Sequence, residues 1–186
     1  MNSKFVTSVS MAVVICLLFS LAACSVSYHS IPNPQVEAIG DIRPILRLPD
    51  LPLEFVEETG MINSPTASWT VAAYRDSEGR KYFVEVEMNR VVEIDGRELL
   101  SKRATIVGAL KPAELRELAE RMAKEAFPDF SSLQTKLTHE EGQKGDYYFF
   151  TWRDMYSPLS FNRPFMQLAF IKNGELFAYY NTLSSR

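Results

Sequence analysis

The sequence predicts an α+β domain: an antiparallel sheet built from hairpins, with one main amphipathic helix packed on one face. Three observations predict it. Apolar residues alternate with a period of two on either side of Asp76-Ser77-Glu78-Gly79, as in half-buried strands joined by a turn, and Asn173-Gly174 is a hairpin turn signal between two apolar runs. Over residues 112–127 the period changes to that of a helix, with Leu115, Leu118, Ala119, Met122, Ala123, Ala126 and Phe127 on one stripe. The order strands, helix, strands, joined antiparallel, is that of an α+β architecture.

The first residues stand apart from that domain. Lys4 precedes an apolar core running from about Val9 to Ala23. This core is shorter than the ~20 residues an α-helix needs to cross about 30 Å of hydrocarbon, so residues 1–23 fit a cleaved signal better than a permanent span. The stretch Leu21-Ala22-Ala23-Cys24 resembles the bacterial lipobox. That resemblance implies cutting before Cys24, a diacylglycerol on its sulfur and acylation of its new amino group. Each buried methylene adds roughly 0.8 kcal/mol, so two or three chains anchor stably. The membrane is then a partner through lipid on Cys24, and the expected location is extracytoplasmic, in the bacterial cell envelope. Ser25 in place of aspartate points to the outer membrane if the host has two membranes. The competing readings are an ordinary secretory signal with a chance cysteine, or an uncleaved anchor helix.

Composition bounds the rest. The other cysteine, Cys16, lies inside the signal, so no disulfide is expected and the core must hold the domain together. Aromatic residues make up 12% of the chain and supply bulky apolar side chains for it. The net charge is −3 and no basic stripe exists to neutralise phosphates, which argues against nucleic acid as a partner.

Residues 24–53 read as a lipidated N-terminus and proline-rich tether. Pro32, Pro34, Pro44, Pro49 and Pro52 each remove an N–H and fix φ, favouring extended backbone. The run over 42–48 is too apolar for a freely solvated linker, and is expected to pack on the domain. The domain itself is expected over 54–186, with two lobes divided near Leu110 as the rival layout. Its first strand starts near Ser68, where Trp69, Val71 and Ala73 alternate with Thr70, Ala72 and Tyr74. Residues 81–88 return, with Tyr82, Val84, Val86 and Met88 on one face. A second hairpin is expected across Asp95-Gly96, residues 91–94 meeting 97–100, and residues 103–107 extend the sheet. Pro112 suits the first turn of the helix, and Pro128 stops it. Then come a short strand over 133–137, a polar turn over 138–146, and the aromatic run Tyr147-Tyr148-Phe149-Phe150-Thr151-Trp152 as an interior strand. A hairpin of 165–171 and 175–182 around Asn173-Gly174 closes the chain.

This C-terminal part carries a resemblance. A helix ending in proline, a strand with Tyr147, Phe149, Trp152 and Arg153, and a hairpin closing on Asn173-Gly174-Glu175-Leu176-Phe177-Ala178-Tyr179-Tyr180 together resemble the PepSY-like repeat of the YcdB/YcdC type, over roughly 111–183. The resemblance implies a PepSY- or cystatin-like helix-on-sheet unit that binds proteins or modulates proteases. Residues 157–164, a longer loop bracketed by Pro158 and Pro164, depart from that pattern.

Catalytic signals are thin. Of the two histidines, His29 falls in the tether and His139 in the polar turn, and Gly-x-Ser-x-Gly does not occur. A Ser–Lys arrangement stays open, with no pair singled out. His139, Glu140, Glu141 and Asp146 lack the spacing of a zinc-binding helix and read as a solvated turn. Glu85 and Glu87 share a strand face and read as the solvent-facing side of that strand. No cofactor or metal is implied. Trp152, Arg153, Asp154 and Tyr156 are the candidate partner-binding residues, because Trp, Arg, Met and Tyr concentrate at the energetic centres of interfaces. The structural alternative puts Trp152 in the core and pairs Arg153 with Asp154 or another acid. The expected function is a membrane-anchored, non-enzymatic envelope module that binds another envelope protein or modulates a protease. The alternative is a carrier, with an apolar ligand or lipid in a cavity lined by Phe150, Trp152, Phe165 and Tyr180.

Overall fold

A computed structural model describes residues 33–60, 70–101, 107–156 and 163–183. The signal over 1–23, Cys24, His29, Ser68, Trp69, residues 103–106 of the expected sheet extension and most of the 157–164 loop lie outside these. Eight antiparallel strands form one sheet in the order β1-β2-β3-β4-β8-β7-β6-β5. They are β1 (Leu53–Gly60), β2 (Thr70–Asp76), β3 (Lys81–Glu85), β4 (Arg90–Asp95), β5 (Leu137–Lys144), β6 (Tyr147–Asp154), β7 (Phe165–Ile171) and β8 (Leu176–Asn181). The helices are α1 (Pro34–Ile45), α2 (Arg97–Leu100), α3 (Pro112–Ala126) and α4 (Phe130–Leu133). The architecture is α+β as expected, but two long helices, not one, bury residues against the sheet. Among the described residues no helix is long and apolar enough to cross a membrane.

Helix α1 occupies part of what the sequence reads as a tether. Its two prolines lie at or near the helix ends. Pro34 takes the first helical position, whose N–H is unpaired anyway, and Pro44 falls in the last turn. Asn33 caps the start, its Oδ1 accepting the N–H of Gln35 at 3.0 Å. Arg47 ends the helix in the left-handed region at φ 55°. Its N–H donates to the Pro44 carbonyl at 3.2 Å and that of Leu48 to the Arg43 carbonyl at 2.9 Å, the two bonds of a Schellman cap. Ile39, Ile42, Leu46 and Leu48 are buried in the main core, so the apolar 42–48 run does pack on the sheet.

The first hairpin forms as expected, with Asp76 Oδ1 accepting the backbone N–H groups of Glu78, Gly79 and Arg80. The second does not. Strand β3 ends at Glu85, the chain turns over residues 86–89 with Asn89 at φ 47°, and β4 pairs back on β3. Met88 is therefore exposed rather than on a strand face. At Asp95-Gly96 the chain leaves the sheet. Asp95 Oδ1 accepts the N–H of Arg97 at 2.9 Å and starts α2, and the strand beside β4 is β8, with Ile94 opposite Tyr179. Gly96 lies close enough to the Phe177 carbonyl that a Cβ there would approach it to 3.0 Å. Val107 belongs to no strand.

Helix α3 carries Leu115, Leu118, Ala119, Met122 and Ala123 into the core, and Glu114 reaches back to accept the Lys111 N–H at 2.7 Å. After it, residues expected as a strand form α4 and a 3-10 turn, Gln134–Lys136. The polar run expected as a turn is strand β5, an edge strand paired only with β6. One paired side leaves the other to solvent, so His139, Glu140, Glu141 and Lys144 are no obstacle to the ladder. The turn shrinks to Gly145-Asp146, with Gly145 at φ 61°. Strand β6 is interior, between β5 and β7, and the β7–β8 hairpin turns at Asn173-Gly174, both as expected.

Helices α1 and α3 cover one sheet face, over Ala72, Tyr74, Tyr82, Val84, Ile94, Phe150, Trp152, Leu168, Phe170 and Tyr179. A second, smaller cluster of Ala169, Ile171, Phe177 and Ala178 lies on the opposite face against Leu100 of α2.

Candidate functional site

Of the four residues expected to bind a partner, Trp152, Arg153 and Asp154 alternate across the end of β6, Tyr156 follows in the turn, and they do not share one surface. Trp152 points under the helices, 3% exposed, its ring edge-on to Phe130 at 5.2 Å and stacked on His139 at 5.1 Å. Arg153 points to the other face, over the Phe165 ring at 5.3 Å, with Nε 3.8 Å from Glu140 Oε1. Its acidic partner is thus on β5 and is not Asp154. Asp154 shapes the strand end, its Oδ1 accepting the Tyr156 N–H at 2.9 Å. Met155 and Tyr156 project into solvent.

The acids expected on open surfaces are mostly engaged. Glu141 pairs with Arg116 of α3, which holds its carboxyl below the usual range, and it lies 3.6 Å from His139 Nδ1. Glu85 is buried and paired with Arg90 at 2.9 Å, whereas Glu87 sits in the turn after β3. Among the described residues no group of three or more His, Cys, Asp or Glu could hold a metal ion. The side chains expected to line a carrier cavity are divided by the sheet. Phe150 and Trp152 belong to the helix-covered core, while Phe165 packs with Tyr180 on the opposite face, ring centroids 6.5 Å apart.

Two clusters escaped sequence reasoning. The β4–β8 pairing sets Glu93 opposite Tyr180. Burial, then the neighbouring Asp95 charge, pushes the Glu93 carboxyl up, and burial pushes the Tyr180 phenol up to about 12. Hydrogen bonds from Arg97 pull Asp95 the other way. The second cluster is buried between α1 and the first hairpin. Arg43 Nε donates to the Tyr82 hydroxyl (3.3 Å), which donates to Asp76 Oδ2 (3.1 Å), and Arg80 Nη1 donates to the same oxygen (3.0 Å). Burial raises the Tyr82 phenol. Arg43 also holds Asp50 at 3.1 Å and the Leu51 carbonyl at 2.8 Å, fastening the chain after α1 to the sheet. No local pattern announces either cluster, because each joins segments far apart in the chain.

No family model, curated protein or solved structure matches this chain. The functional reading therefore rests on geometry. Two surface depressions border α1. One, of about 270 Å³, lies between Asp41 and Ile45 of α1, Asn89 and Arg90 at the start of β4, and Glu125 near the end of α3. The other, of about 280 Å³, is bordered by Gly40, Arg43, Pro44, Leu48 and Asp50. Both fall just below the roughly 300–1,000 Å³ of drug-sized ligand sites.

Proposed function

We propose that this chain is a lipid-anchored extracytoplasmic protein, held by Cys24, whose α+β domain binds another protein of the cell envelope. The observation that carries the reading is the end of β6. Met155 and Tyr156 stand exposed there, of the types enriched at interface centres, on a strand end fixed by Asp154 and beside Arg153. A PepSY-like character of residues 111–183 belongs to the same proposal. So does the absence of enzymatic activity. The carrier alternative has less support, since its four lining residues lie on two faces of the sheet.

In-cell crosslinking of the full-length protein followed by mass spectrometry tests the binding reading. The native form is expected to capture one envelope protein above background, and the Arg153→Ala/Tyr156→Ala form to capture less of it. Crosslinks absent from both forms would remove the reading's support. Cys24→Ser is expected to move the protein out of the processed membrane fraction. A variant still acylated and membrane-bound would contradict the lipobox.

A further inference from the structure

Among the described residues the sheet ends in two edges that pair with no further strand, β1 and β5, and they differ. On β5 both glutamates already have partners, Glu141 holding Arg116 and Glu140 lying by Arg153, and the amide of Gln143 donates to the Tyr148 hydroxyl. On β1, Glu54, Glu57 and Glu58 are exposed, and among the described residues none of them enters an ion pair. The strand also exposes Phe55 (55%) and Val56 (44%), and β2 satisfies only one side of its backbone.

Resting on the reading of the chain as a protein-binding module, we propose that β1 is a second docking element for its partner, at the sheet edge away from β6. An extended, basic segment of the partner adds there as a ninth strand, through main-chain hydrogen bonds of the β-augmentation type. The register specifies the chemistry. The irregularity between Phe55 and Glu57 absorbs Val56, so Glu54 and Glu57 face the same side. Strand β2 already shows what fits: Arg75 opposite Glu54, Tyr74 opposite Phe55 and Ala73 opposite Glu57, the Tyr74 ring edge-on to Phe55 at 5.6 Å. A segment pairing on the outer side in the same way presents two basic residues two positions apart, with an apolar residue between them that meets Phe55. A second copy of the chain is the wrong occupant. Antiparallel self-pairing of β1 sets glutamates against glutamates, which destabilises a cross-strand contact.

The probe is a fluorescein-labelled peptide carrying Lys-Val-Lys between threonines, titrated against the full-length protein by anisotropy at low salt. Two control peptides accompany it, one with lysines replaced by glutamates and one N-methylated at alternate amides. The parent peptide is expected to bind and the glutamate peptide not to. N-methylation, and separately the Glu54→Lys/Glu57→Lys variant with unchanged thermal stability, are expected to weaken binding about tenfold. Equal binding of the N-methylated peptide would reduce the contact to charge alone and overturn the proposal, as would a dimer of the chain that the variant disperses. Crosslinking separates the two levels of inference. A variant that keeps the native crosslink refutes the β1 edge and leaves the binding reading standing. Peptide binding at β1 with no cellular crosslink keeps the edge and refutes the envelope-binding reading.

Discussion

Asp76→Ala should be among the most damaging single changes in this protein. Its side chain is fully buried and accepts five hydrogen bonds. Oδ1 takes the N–H groups of Glu78, Gly79 and Arg80 at 3.1, 3.0 and 2.9 Å, and Oδ2 takes Arg80 Nη1 at 3.0 Å and the Tyr82 hydroxyl at 3.1 Å. Without it, among the described residues Arg80 keeps only Glu78, at 4.0 Å, and its Nε is already unpartnered there. Removing one member of a buried ion pair costs about 3–5 kcal/mol, against a total stability of roughly 5–15 kcal/mol for a domain. With a urea slope of about 2 kcal/mol per molar, the midpoint followed by tryptophan fluorescence should fall by about 1.5–2.5 M. Asp50→Ala is the control. It also removes a carboxylate from a buried arginine, Arg43 at 3.1 Å, but Asp50 is 97% exposed, and the midpoint should stay in place. Asp76→Ala/Arg80→Met should be more stable than Asp76→Ala, because it also takes away the orphaned charge. A drop below about 0.5 M for the single variant, under the scale of a buried-pair loss, or a double variant weaker than the single, would refute the reasoning.

Other outcomes follow from the same structure. Glu93 is raised above its ordinary 4.5, so the folded state binds its proton more tightly than the unfolded chain. Its stabilising contribution is full at low pH and is lost as pH rises through the raised value; Glu93→Gln should raise Tm at pH 7, and the gain should vanish toward pH 4. A constant gain across that range would contradict the burial account. Arg47→Gly should stabilise by about 0.5–1 kcal/mol, since glycine adopts the left-handed Schellman position without the Cβ penalty; a lower Tm would show that the Arg47 side chain contributes more than its backbone costs. Trp152→Ala should cost about 3–5 kcal/mol and Tyr156→Ala nothing measurable in urea unfolding. Equal effects would mean that Trp152 is not the buried member of the pair.

What could be read before folding was what neighbours along the chain decide. The stripe from Leu115 to Ala123, the Asn173-Gly174 turn and the aromatic run of β6 each carry their periodicity within one segment, and all three elements formed where expected. Readings failed where composition outweighed position. The prolines of α1 looked like breakers, yet Pro34 and Pro44 occupy positions near the helix ends. The polar residues of β5 looked like a turn, yet an edge strand needs pairing on one side only. Asp95-Gly96 looked like a hairpin turn, yet β4 found β8 as its neighbour and left residues 97–100 to coil into α2.

For the candidate site, residue types were legible and their directions were not. That Trp152 turns inward, that Arg153 reaches across to Phe165 and that Tyr156 stays exposed all depend on which face of β6 the helices cover. By itself the sequence determined the α+β class, the main helix, the closing hairpin and the aromatic interior strand, because helix and turn preferences act over a few residues. Only the tertiary structure decided that β4 joins β8, that Arg43, Tyr82, Asp76 and Arg80 meet in one buried network, and that β1 is left open at the edge. Apart from the Asp76–Arg80–Tyr82 contacts within one hairpin, these arrangements join residues far apart in the chain, and their stability comes from burial and pairing in the assembled sheet.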